Sequence, residues 1–91
     1  MVKSQYLSGM YKDKIIRVSW VDSQIVSYTW THFEDIVPKI ATVESVGFVV
    51  SENKETLTLA ASVSHKSDSD SQATQIITIP KCSIKSRKTI T

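Results

Sequence analysis

Five cations and two aromatic residues are the side chains of this sequence best equipped to hold a ligand: Arg17, Lys81, Lys85, Arg87 and Lys88, with Tyr28 and Trp30. The cations suit an anionic partner, and the aromatic rings offer faces on which a base or an apolar side chain stacks. The commoner role of such cations is a solvated surface, and that of such aromatics is packing in a core or against a helix. Nucleophilic chemistry has fewer candidates. Cys82, His32 and His65 are the obvious nucleophile and bases. Cys82 follows Ile79-Pro80-Lys81, where a small, partly buried residue is expected, and no partner base is identifiable. There is no glycine-rich phosphate loop and no paired-cysteine zinc motif. Asp68 and Asp70 have the spacing of a calcium loop, but the glycine and terminal glutamate of that loop are missing. The sequence therefore predicts a protein that is not an enzyme, with no catalytic residues, no cofactor and no metal.

The bulk properties set the frame. A chain of 91 residues makes one small domain. A domain of this size buries only about 60–65% of its unfolded surface, so self-association is an economical way to bury more. The net charge of +2 is too small a surplus to point to nucleic acid by itself. The single cysteine excludes an internal disulfide and suits a reducing cytosol. No apolar run approaches the roughly 18 residues of a membrane helix, and the N-terminal stretch lacks the apolar core of a secretory signal. The expectation is a soluble intracellular protein with no membrane partner.

The elements that must position the candidate side chains are mostly strands. Residues 1–13 read as a mobile tail or as an arm whose tyrosines dock on the domain or a neighbour. Residues 14–91 read as a single small β-barrel domain. Lys14–Val21 alternates with period two and places Ile16, Val18 and Trp20 on one face. Asp22-Ser23 is a turn signal, after which Gln24–Trp30 reads as a returning strand. Thr31 and Glu34 form a capping-box pattern, predicting a short helix to about Val37 that packs Phe33, Ile36 and Val37 on the sheet. Val43–Val63 is a hairpin around Glu52–Glu55. Its expected inward row is Val46, Phe48, Val50, Leu57, Leu59, Ala61 and Val63. Its other row is small and uncharged, which predicts that it too is covered. Gly47, in mid-strand, predicts a bend. Residues 64–72 read as a mobile polar loop. Ala73–Ile79 and Ile84–Ile90 read as two further strands, with Ile84 and Ile90 inward and the basic cluster on an edge.

The fold expected from this order is all-β, mainly β with one short helix. It is a small, strongly bent antiparallel sheet or an SH3-like or Sm-like barrel, with Trp20 and Phe48 at the core centre. Barrel closure is favoured because there is too little helix to cover a sheet.

Trp20-Val21-Asp22-Ser23, Trp30-Thr31, Glu34-Asp35-Ile36, Ser45–Val50, Leu59-Ala60 with Ser62, and Ile79-Pro80 with Ile84 span most of the chain. In this order they resemble a group of small uncharacterised bacteriophage-encoded proteins. The sequence departs from that group in lacking a Gly-Trp pair between the first two strands. The resemblance carries no assigned chemistry. It implies a viral accessory protein in the host bacterial cytoplasm.

Three partner classes follow. The first is a host protein blocked by surface contact, the second a small nucleotide signal held by Arg17 and the Lys85–Lys88 cluster; either would counteract host defence. The third is single-stranded nucleic acid on the basic and aromatic surface. Self-association into a homo-oligomer is expected alongside any of them.

Overall fold

The structure, a computed structural model, describes residues 14–65 and 70–90. The expected N-terminal arm and Asp68 lie outside the described residues. Among the described residues, five strands form one antiparallel sheet: β1 (Ile15–Ser23), β2 (Ile40–Glu52), β3 (Thr56–His65), β4 (Ser71–Pro80) and β5 (Ile84–Thr89). Their order across the sheet is β4-β3-β2-β1-β5. No α-helix occurs among the described residues, and the two 3-10 turns are Phe33–Asp35 and Lys81–Ser83. The protein is thus all-β, and the sheet is open: no ladder joins β4 to β5.

Open does not mean flat. In a flat sheet the edge strands β4 and β5 would lie four spacings apart, roughly 19 Å. The chain passes from Pro80 to Ile84 through only the Lys81–Ser83 turn, and a 3-10 turn advances about 2 Å per residue. The edges must therefore curl toward each other at this end. The same curl brings Glu52 to β5. Arg87 registers with Val18, and Val18 with Ser45. Glu52 lies seven residues beyond Ser45 along β2, roughly 23 Å away in a straight strand. Yet the Arg87 guanidinium reaches the Glu52 carboxylate at 2.8 Å. The strong bend expected from sequence is present.

The bend is built into β2. Its first part, Ile40 to Phe48, pairs with β1, and Phe48 to Glu52 pairs with β3, with a register shift between Val49 and Ser51. Gly47 sits at this change of partner and is buried. A Cβ there would meet the Ala60 carbonyl oxygen at 2.9 Å and Leu59 Cβ at 3.2 Å. Glycine is what lets β2 approach β3 so closely.

The core is Ile16, Val18 and Trp20 of β1, Val49 of β2, Leu57 and Leu59 of β3 and Ile79 of β4, with Val43 and Ile84 packed against it. Each fully buried aliphatic contributes about 1.5–3 kcal/mol of transfer free energy. The Trp20 indole N–H donates to Ser45 Oγ at 3.0 Å, so the largest core side chain leaves no polar atom wanting. At the β2–β3 turn, Asn53 Oδ1 accepts from the amides of Glu55 and Thr56, both at 2.8 Å. This fixes the reversal without a glycine.

Several expectations are corrected. The inward face of β2 carries Gly47 and Val49, while Val46 is 58% exposed and Phe48 only half-buried. Val49 and Val50 are equally apolar, so alternation alone does not phase this strand; the tight Gly47–Ala60 approach does. On β3, Leu57 and Leu59 face the core as expected, while Ala61 is exposed. Gln24–Trp30 is not a strand. Asp22-Ser23 lacks the positive-φ residues that a two-residue hairpin turn requires, and β1 runs through both and pairs with β2 instead. The Thr31–Glu34 helix is only the Phe33–Asp35 turn, with no side-chain cap. The Thr31 hydroxyl instead donates to the Thr29 carbonyl at 3.0 Å. Phe33, Ile36 and Val37 are exposed rather than packed on the sheet. Of the expected 64–72 loop, Ser64 and His65 belong to β3 and Ser71 and Gln72 to β4. Ile84 packs inward, but Ile90 is exposed. Cys82 is exposed rather than partly buried.

Candidate functional site

Between β1 and β2 the chain makes a long excursion, residues 24–39, that carries no strand. Its local order comes from short hydroxyl side chains. The Thr29 amide donates to Ser27 Oγ at 3.2 Å, and the Ser27 and Thr31 hydroxyls lie 2.9 Å apart. Such side-chain-to-backbone bonds hold a turn without a ladder. They point the neighbouring side chains outward. Trp30 is fully exposed, Phe33 is 92% exposed and Tyr28 88%. Ile25, Val26, Ile36 and Val37 are exposed in the same segment. Val26, Tyr28, Trp30 and Ile36 line a shallow depression of about 480 Å³. Tyr28 and Trp30, together with Phe33, thus stand in water rather than packing in a core or against a helix. So many aromatic and branched side chains gathered in one exposed segment are unusual for a surface left in water.

The cations are placed elsewhere, and most are already engaged. Arg17, on the exposed face of β1, pairs its Nε with Glu44 Oε1 at 2.9 Å. Arg87 Nη1 and Lys81 Nζ both lie 2.8 Å from Glu52 Oε2, and Arg87 Nη2 lies 3.4 Å from Oε1. The Arg87 guanidinium foremost, joined by the Lys81 ammonium, holds the Glu52 carboxyl at a pKa of about 2, against the desolvation that pushes it the other way. This cluster ties the end of β2 to the Lys81–Ser83 turn and to β5, and is a clasp of the fold. Lys85 and Lys88 lie on exposed β5 and form no ion pair among the described residues. The seven candidates therefore divide into an aromatic loop, a clasp, one surface pair and two edge lysines. No single basic and aromatic groove unites them.

Among the described residues no three His, Cys, Asp or Glu side chains gather as a metal site. No helix there is long and apolar enough to cross a membrane. Loop residues Phe33 and Ile36 belong to the exposed surface but were not among the candidates. Their helical spacing disguised them as packing residues; the absence of any helix or sheet face for them to cover is what exposes them. No protein-family model, curated protein or solved structure matches the chain.

Proposed function

We propose that the protein is a non-enzymatic interaction module that binds a host protein through the aromatic loop of residues 24–39. The observation that carries this reading is the outward display of Tyr28, Trp30 and Phe33 on a hydrogen-bonded loop. Aromatic anchors of this kind dominate the energetics of protein interfaces. A small anionic nucleotide is less well served, because Arg17, Lys81 and Arg87 are neutralised by Glu44 and Glu52. Single-stranded nucleic acid needs cations beside its stacking rings, and the five candidate cations lie on other elements. The likeness of Trp20–Ser23 and Ser45–Val50 to phage-encoded proteins supports a viral accessory role in the bacterial cytoplasm, against a defence factor.

The finer fold reading belongs with this proposal. The strand order, the bent β2 and the 3-10 turn between β4 and β5 support a partly open small barrel of the SH3-like kind.

The test is recovery of a host protein with the wild type but not with Trp30→Ser or Phe33→Ser. Each substitution is expected to weaken the purified complex at least 10-fold, on the scale of an interface anchor. Equal recovery by all three proteins would refute the loop as the contact. A nucleotide released from the denatured wild type, with no protein recovered, would replace this reading with the small-ligand one.

A further inference from the structure

The two edges of the sheet are treated differently by the sequence. The β5 edge, Ile84–Thr89, carries Lys85, Arg87 and Lys88. The β4 edge, Ser71–Pro80, reads SQATQIITIP and has no charge in ten residues. Among the described residues no strand lies beyond β4. Ile76 is 57% exposed and Ile77 39%. Edge strands left in water are ordinarily short, charged or covered, because their unpaired amides and carbonyls template further pairing. β4 is long, neutral and β-prone. Its one kink, at Gln75 with φ 53, leaves the ladder with β3 in register on both sides, Ala60 opposite Ile76 and Ser62 opposite Thr74.

We infer that the β4 edge pairs antiparallel with β4 of a second copy of this chain, joining two sheets about a two-fold axis. Two arguments select a second copy. An antiparallel copy of a neutral strand sets no like charges opposite each other in any register, whereas β5 against β5 would oppose its own cations. Closure gives the second argument. An isologous β4–β4 contact uses up both neutral edges and leaves a β5 edge at each end. Those ends are cationic, so growth stops at two chains. The surface is separate from the aromatic loop, so this inference stands or falls independently of the proposed function.

The mass in solution decides it, measured by sedimentation velocity across a hundredfold dilution from about 100 µM. The wild type is expected at twice the chain mass at the upper end. Ile76→Lys and Thr74→Lys, each with an unchanged circular dichroism spectrum, are expected as single chains at the same concentration. Trp30→Ser is expected to remain paired. The double variant Lys85→Thr, Lys88→Thr is expected to grow past two chains, because the two lysines that guard the other edge are gone and Arg87 is held by Glu52. A wild type that is a single chain throughout would overturn the inference. So would a pair that survives both lysine substitutions, or one that Trp30→Ser alone abolishes.

Discussion

Glu52 is the carboxylate at the centre of the clasp. Its carboxylate is shared by a guanidinium and an ammonium from two elements that sequence order keeps apart from β2. Its folded pKa of about 2 lies below the ordinary 4.5. A depressed carboxyl pKa contributes stability that is fully present above the unfolded value and lost as the pH falls through the folded one. The expected result is a decline of about 1–2 kcal/mol between pH 4.5 and 2, after discounting for solvent screening, that Glu52→Gln does not show. Denaturant titration of both proteins across that window checks it. Gly47 is the second residue on which the bend depends. Gly47→Ala places a methyl against the Ala60 carbonyl, a backbone atom with little freedom to yield. A loss of about 1–3 kcal/mol in the same titration is expected.

At the scale of elements, the loop of residues 24–39 and the strand β2 show what alternation does and does not reveal. β1 was legible because its apolar residues Ile16, Val18 and Trp20 stand opposite Arg17 and Ser19, and the buried face follows from that contrast. β2 was legible as a strand but not in its phase, since the neighbouring Val49 and Val50 are equally apolar and the decision lies in a contact with β3. The loop was illegible for a different reason. Its branched and aromatic residues satisfy strand and helix patterns alike, and only the absence of a partner shows that they satisfy neither. Of the candidate side chains, the rings were identifiable by type, but their exposure was not. Nor was the pairing of Arg87 and Lys81 with Glu52, which depends on the bend. Trp30, making no core contact, is expected to contribute within about 0.5 kcal/mol to stability when changed to Ser. Its loss is therefore read cleanly at the partner.

At the scale of the whole molecule, the two ends of the described chain meet on β1. Ile16 registers with Gly47 of β2 on one flank and with Thr89 of β5 on the other. The β2–β3 and β3–β4 ladders form between chain neighbours, while the β1–β5 ladder waits until the entire domain has been threaded. Closing so long a loop costs entropy before any contact rewards it. The crossing at Lys81–Ser83 therefore has a consequence in time. The β2–β3–β4 meander is expected to assemble first and β5 to dock last, after the rate-limiting barrier. Ile84→Ala, which weakens the docking of β5 on the core, is expected to accelerate unfolding while leaving the folding rate nearly unchanged, with a φ-value near 0. Stopped-flow folding and unfolding in denaturant measures both limbs, and a slowed folding limb would place β5 in the nucleus instead. Under load or in mild denaturant, the strand that leaves first is then the cationic one, exposing the flank of β1 that only a completed chain can cover.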